Sequence, residues 1–271
     1  MANNAERIVT AGKTSRYREP HPYWLRNSVL SLVVLILCLG LVALPYAFDQ
    51  PIALLMNKAV NRSDSLDILV KALDDDFTYS GVILIALLWS CWFDSPKPDD
   101  RARIAVGTLL CFPIGMVSRM VQHMLPTHPR PVFDTSVDFA QPWLVGDAIN
   151  TWNSFPSDHA TVFAGLVAVV WTVRPRLGML AAVWMALVES ARMYVGAHYP
   201  SDLIGGAALA AALIWLAQAL PMAGIGRRIE DWRQTRPGLF YGLAFFVCYQ
   251  IATLFHGARM TGSGLAKIWI S

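Results

Sequence analysis

Charge is scarce in this sequence. Of its 271 residues only 15% are Asp, Glu, Lys or Arg, against roughly 25% in an average soluble chain. Hydrophobic types reach 55%. That balance excludes a disordered chain, which needs low hydrophobicity and high charge, and a coiled coil, which needs charged flanks on its seam. Cysteine is sparse as well: Cys38, Cys91, Cys111 and Cys248 all fall inside apolar runs, and no C-x-x-C pair exists. A disulfide scaffold is thereby excluded, and the four are expected to be small buried hydrophobes. The formal net charge is only +3, so no global pull toward nucleic acid follows from it. No internal repeat and no low-complexity tract is visible. A cleavable signal peptide is not expected either. The first apolar run is too long for a signal core, and no small-x-small site follows it.

What the sequence does have is long uncharged runs. A helix needs about 20 apolar residues to cross a bilayer. Seven segments approach that: 29–48, 77–93, 102–125, 159–173, 177–195, 201–220 and 238–255. They are continuous rather than alternating, so helices are expected and not barrel strands. The fourth is short and would tilt or start in the interface. The segment from Ile52 to Asp76 carries Leu66, Ile68, Leu69 and Leu73 among polar residues, and is expected as an interfacial amphipathic helix. The predicted fold is all-α. A polytopic transmembrane bundle has a six-helix core and a seventh, C-terminal span. The divisions are an N-terminal cytoplasmic segment 1–28, a membrane core 29–220, a basic cytoplasmic linker 221–237, and an additional span with tail 238–271.

Basic residues are biased to one side. With the N-terminus cytoplasmic, the inner segments hold 14 of the 22 Lys and Arg, from Arg7 to Arg26, Lys97 to Arg103, Arg174 and Arg176, and Arg227 to Arg236. The outer segments hold the rest, including Arg119, Arg130 and Arg192. An inner excess sets the N-terminus inside.

Three polar clusters interrupt the apolar pattern, and this topology brings all three to the outer face. The first closes the third span: Ser118, Arg119, His123, His128, Pro129, Arg130 and Pro131. The second opens the fourth: Phe155, Pro156, Ser157, Asp158 and His159. The third joins the fifth and sixth: Glu189, Arg192, His198, Pro200, Ser201 and Asp202. Arg192 near the end of an apolar helix is costly unless it snorkels, pairs with Glu189 one turn away, or meets an anion. Ser157 with Asp158, and Ser201 with Asp202, have the character of helix N-caps. They could be caps alone. Helix N-termini are also anion sites, and two of them beside Arg130 and Arg192 suit a multiply charged anion such as phosphate. His198 and Asp202 are four apart, so a carboxylate can orient the imidazole. Asp158 beside His159 would favour the protonated ring of a general acid. No metal-binding spacing such as H-E-x-x-H is present, and two arginines would repel a cation.

These clusters resemble the tripartite signature of the type-2 phosphatidic acid phosphatase superfamily, whose members include membrane lipid phosphatases and soluble vanadium haloperoxidases. The pattern is K-x6-R-P, then P-S-G-H, then S-R-x5-H-x3-D. His123-x6-Arg130-Pro131 is similar to the first, with His for Lys. Pro156-Ser157-Asp158-His159 is similar to the second, with Asp for Gly. Arg192-x5-His198-x3-Asp202 is similar to the third, with Ser190 one residue displaced. The resemblance implies phosphate ester hydrolysis through a phosphohistidine, with no metal and no cofactor. His198 would be the nucleophile, Asp202 its orienter and His159 the proton donor. Arg130, Arg192, Ser157 and Asp158 would hold or flank the phosphate, with His123 or Arg119 supplying the cation the family draws from Lys.

The Asp158 variant is similar to bacterial members acting on polyprenyl pyrophosphates. The expectation is a multi-pass phosphatase of the bacterial inner membrane, with its site on the periplasmic face. Its partners would be a lipid phosphate substrate and membrane lipids, with no nucleic acid; the oligomeric state is not assigned. Two rivals stay open: a phosphotransferase using the same phosphohistidine, and a non-catalytic lipid-phosphate binder.

Overall fold

Proline sets where four of the long helices begin. Pro98, Pro175, Pro200 and Pro237 each occupy the first turn, where a missing N–H costs nothing and the fixed φ is already helical. The computed structural model describes residues 22–43, 48–75, 77–125, 128–143, 153–220, 223–257 and 261. In chain order the helices are α1 (Pro22–Ala43), α2 (Asp49–Asn57) and α3 (Asp64–Asp75), then a π-helical turn (Thr78–Val82) running into α4 (Ile83–Phe93). After these come α5 (Pro98–Met124), a 3₁₀ turn (Pro131–Phe133), α6 (Asp158–Val173), α7 (Pro175–Tyr194), α8 (Pro200–Gln218), α9 (Ala223–Thr235) and α10 (Pro237–Ala252). No strand occurs among the described residues. The all-α class is as the sequence predicts, and each of the seven apolar runs carries a helix.

Helix α6 is the axle of the bundle. It is apolar on nearly every face, the pattern of a helix buried on all sides, and α4, α5, α7 and α8 pack around it. Phe163, Leu166 and Val169 at its centre are inaccessible. Helix α1 lies along α8, where the Ser28 hydroxyl donates to the Ala212 carbonyl at 2.6 Å. At the end of the bundle away from the polar clusters, buried Arg103 donates to the backbone carbonyl of Gln218. A guanidinium there satisfies a helix C-terminus that has run out of donors.

Two described helices, α5 and α8, are each long and apolar enough to cross a membrane. The bent pair of α3 with Thr78–Phe93 makes a third if counted as one span; its halves meet at 66°. α6 and α10 are apolar but only 16 residues long, about 24 Å at 1.5 Å per residue. The outer surface is apolar on a scale foreign to a water-soluble monomer. Leu30 and Leu37 on α1, Phe93 on α4, Leu109 on α5 and Phe245 on α10 are all more than half exposed. This is a membrane-embedded bundle.

Two expectations change. The interfacial segment is two helices, because the chain turns between Asn57 and Ser63 with Asn61 at φ 59°. The region 221–237, expected as a linker, is mostly the helix α9, whose Ile225, Ile229 and Trp232 recur at helical spacing. Of the cysteines, Cys91, Cys111 and Cys248 are buried and unpaired; the side chain of Cys38 lies outside the described residues.

Candidate active site

The three polar clusters meet at one end of the bundle because short backbone contacts stitch them. The loop after α5 pairs with the residues before α6: the Ser154 N–H donates to the His128 carbonyl at 2.9 Å, and Pro129 bridges Asn153. Three residues after Pro129, the Val132 N–H donates to the Gly196 carbonyl at 3.1 Å, tying the same loop to the turn after α7. That turn needs Gly196, whose φ is 75°, a region closed to most side chains. The Ser157 N–H then donates to the Asp202 carbonyl at 3.1 Å, joining the starts of α6 and α8. Close approach is required there: a Cβ on Gly206 would sit 2.5 Å from the Ser157 carbonyl oxygen and 2.8 Å from Thr161 Oγ1.

His198 and Asp202 are both completely buried. His198 Nδ1 lies 3.5 Å from Asp202 Oδ2, and His198 Nε2 lies 3.1 Å from Arg130 Nη1. A guanidinium can only donate. Nε2 must therefore present its lone pair, and the ring proton belongs on Nδ1, facing the carboxylate. Burial, and next the charge of Arg130, push the His198 pKa down to about 3, against the opposing pull of Asp202. The imidazole is neutral at any ordinary pH. Arg130 also donates to the Ala197 carbonyl. Burial, and next the charge of Arg192, lower its pKa to about 10, so it stays cationic at neutral pH.

Helix α6 begins here. Ser157 is its N-cap, as expected, with Oγ accepting from the Ala160 N–H at 3.3 Å. Asp158 Oδ1 lies 3.2 Å from His159 Nδ1, and Arg119 Nη1 lies 3.9 Å from Asp158 Oδ2. Both Asp158 and His159 keep about a fifth of their side-chain surface open. The Phe155–Pro156 peptide before them is cis.

Other expected residues sit differently. The N-cap of α8 is Tyr199, not Ser201. Asp202 at the third helical position accepts from the Tyr199 N–H at 2.7 Å. Ser201 gives both its N–H and its hydroxyl to Asp49 of α2. A carboxylate from another helix thus occupies donors that the sequence left free for a substrate anion. Burial raises the pKa of Asp49, against the hydrogen bonds from Ser201. His123 faces outward, and none of the hydrogen bonds or ion pairs among the described residues joins it to the cluster. Its neighbour Gln122, rotated by about 100° on the helix, is the inward residue and donates to the Pro156 carbonyl at 2.6 Å. Arg192 does not pair with Glu189, whose carboxylate oxygens are both buried without a partner. Its Nη1 contacts Asp74 Oδ1 of α3 at 2.7 Å.

Four contributors had no assigned role in the sequence. His128, named only as part of the first polar cluster, is buried with Nδ1 2.6 Å from Ser154 Oγ and 3.3 Å from Asp202 Oδ1. Asp202 therefore lies between two imidazoles. Asp134 accepts from the Tyr199 hydroxyl at 2.8 Å, fixing the residue that caps α8. Asp49 and Asp74 come from the helices before α4, more than 100 residues away in the chain, and no local spacing marks either.

A buried neutral imidazole backed by a carboxylate, beside guanidinium groups and a helix N-terminus, is equipped to receive a phosphate group. Placed at one end of a membrane-embedded bundle, it defines a membrane enzyme acting on phosphorylated molecules. Comparison with known proteins agrees. Residues 123–223 match the PAP2 superfamily. The chain is 33% identical over 157 residues to the "Putative undecaprenyl-diphosphatase YbjG" of Escherichia coli, a match covering 55% of this chain and 72% of that protein. It is 27% identical over 130 residues to the undecaprenyl-diphosphatase of Sulfolobus acidocaldarius, covering 48% and 61%. Among solved structures, the PAP2-type phosphatidylglycerolphosphate phosphatase of Bacillus subtilis superposes with a TM-score of 0.48 at 19% identity, covering 71% and 94%. The chain belongs to the PAP2 superfamily, and is a membrane phosphatase acting on lipid phosphates.

Proposed function

We propose that this phosphatase hydrolyses a polyprenyl pyrophosphate without a metal ion, through a phosphohistidine on His198. The observation that carries the mechanism is the orientation of that ring, with Nε2 as a free-base nitrogen held against Arg130 and Nδ1–H facing Asp202. The choice of substrate is supported by the names of two similar proteins, the "Putative undecaprenyl-diphosphatase YbjG" and the "Undecaprenyl-diphosphatase" given above.

In the first step Nε2 attacks the terminal phosphorus. The bond to the bridging oxygen breaks, and the departing lipid monophosphate takes a proton from His159. Asp202 stabilises the positive charge that spreads to Nδ1. Arg130, Arg192, the Ser157 hydroxyl and the first N–H groups of α6 hold the equatorial oxygens, where charge accumulates. Arg119 supplies a further cation at the rim. In the second step His159, now neutral, takes a proton from water. The hydroxide attacks the phosphohistidine, releasing inorganic phosphate and restoring the ring.

The topology belongs to the same proposal. Seven spans with the N-terminus cytoplasmic put the site on the outer face of a bacterial inner membrane, where the lipid tail stays in the bilayer. A groove between α6, α7 and α8 supports this: it runs from Glu189 and Pro200 beside the site to Trp171 and Trp215, and its lining is almost wholly apolar. The test is phosphate release by purified protein in detergent with EDTA, over undecaprenyl pyrophosphate, phosphatidate and phosphatidylglycerophosphate. EDTA-resistant release that is greatest with the first and absent in His198→Ala is expected. Release that requires a divalent ion, or that appears only with an acceptor lipid, would replace this reading.

A further inference from the structure

Helix α3 presents two different faces. Leu66, Ile68 and Leu69 are exposed, two of them by more than half, as on a helix lying at a membrane surface. The opposite face carries Asp67, Val70 and Asp74, spaced three and four residues apart and therefore aligned. This face docks on the end of α7. Val70 packs with Ala191, Tyr194 and Val195. A carboxylate lies on either side of that contact: Asp67 accepts from the Tyr194 hydroxyl, and Asp74 takes Arg192 Nη1 at 2.7 Å. The Asp74 and Arg192 side chains are only 7% and 15% exposed.

The form of the second contact matters. A guanidinium has five N–H donors in a rigid fork, and a competing counter-ion would engage two of them side by side. Asp74 makes a single contact, and Arg192 Nε remains buried without a partner. Glu189 lies one turn earlier on the same helix as Arg192, and its oxygens are also buried and unpartnered. The arginine is held from another element, with donors to spare.

We infer that Asp74 is a positioning residue: it aims the Arg192 guanidinium, and so makes the interfacial helix α3 part of the phosphate-binding apparatus. This rests on the assignment of Arg192 to phosphate binding above. A pre-aimed guanidinium loses less freedom when phosphate binds, so the gain is realised as affinity for the phosphate group.

The experiment uses the full chain in detergent, with orthovanadate as the phosphate-like inhibitor and KM and kcat measured for a polyprenyl pyrophosphate. Asp74→Ala is expected to raise the vanadate inhibition constant and KM by about tenfold, the usual worth of one charge-assisted hydrogen bond, with kcat changed less. Asp74→Asn keeps an oxygen at the same place and should recover most of that loss. Tyr194→Phe loosens the other anchor of α3 and should leave vanadate inhibition within about twofold. If Asp74→Ala does not fold, Asp74→Glu decides, since one extra methylene displaces the guanidinium while keeping the charge. Unchanged or tighter vanadate inhibition in the Ala or Glu variant would overturn the inference, as would an equal loss in Tyr194→Phe. Arg192→Ala separates the two levels. If it leaves vanadate inhibition unchanged, the phosphate-binding role of Arg192 fails. If it weakens inhibition and the Asp74 variants do not, only the role of Asp74 fails.

Discussion

Replacing Asp202 by Asn removes one charge and almost no volume, and its effect can be followed atom by atom. Asp202 has two tasks. Its Oδ2 accepts from the Tyr199 N–H at 2.7 Å, capping α8, and it faces His198 Nδ1 at 3.5 Å. An Asn that keeps the cap with its oxygen also keeps that oxygen facing His198 Nδ1, so the ring proton stays on Nδ1, and its NH2 takes the place of Oδ1 opposite His128. What is lost is the negative charge that stabilises the ring once Nε2 has attacked. The lost stabilisation of a cationic ring at 3.5 Å is about 332/(20 × 3.5), or roughly 5 kcal/mol at an effective dielectric of 20. That corresponds to roughly a 10³–10⁴-fold fall in kcat. The cap survives, so thermal stability in detergent should change little. Asp202→Ala loses both functions, and should be destabilised by about 1 kcal/mol for the cap alone. Phosphate release and a melting curve on the same preparations test the pair. A folded Asp202→Asn that keeps more than about a tenth of wild-type kcat would refute the reasoning.

Three further predictions follow from the same geometry. His198 is held neutral when folded, whereas an unfolded imidazole protonates near pH 6.5, so the unfolded state gains protons first as pH falls. Stability should decline by up to about 1.4 kcal/mol per pH unit below that point, and His198→Gln should show a shallower decline in melting temperature between pH 6.5 and 4.5; equal slopes would contradict the assignment. Gly206→Ala puts a methyl group 2.5 Å from the Ser157 carbonyl oxygen, against backbone that cannot yield. It should cost about 1–3 kcal/mol and disturb the start of α6, seen as lower melting temperature together with lower activity. Arg119 lies beside Asp158 and His123 faces outward, so Arg119→Ala should raise KM several-fold, while His123→Lys should leave both KM and the alkaline limb of the pH profile unchanged; the reverse pattern would restore His123 to the site.

Local signals were the ones the sequence made legible. Seven apolar runs carry seven helices because a continuous apolar segment away from water satisfies its backbone by forming a helix. Ser157 caps α6 because a Ser oxygen just before a helical run can accept from one of its free N–H groups. The spacing of His198 and Asp202 places them together whatever lies around them. What local pattern could not convey was the identity of distant partners. Ser201 has the chemistry of a cap, yet its donors go to Asp49, which lies 152 residues away in the chain. Glu189 is the neighbour of Arg192 by helical spacing, yet Asp74 takes the contact, and α3 is docked by apolar packing that no spacing rule sees. His123 fits the spacing of the first motif, but one residue of rotation separates a buried Gln122 from an exposed His123, and motif spacing does not state which way a helix faces. The interfacial segment was legible on one face only: its apolar residues Leu66, Ile68 and Leu69 face outward as on a surface helix, while the face that meets the protein carries carboxylates whose partners no spacing rule names.

The central claim is that His198 carries the phosphoryl group without a metal. The measurement is a rapid quench of the EDTA-treated enzyme with substrate labelled in its terminal phosphate, followed by isolation of the peptide spanning residue 198. The account predicts acid-labile, alkali-stable label on His198, absent from His198→Ala, and phosphate release undiminished by EDTA. Release that stops with EDTA, or turnover that persists in His198→Ala, would contradict it.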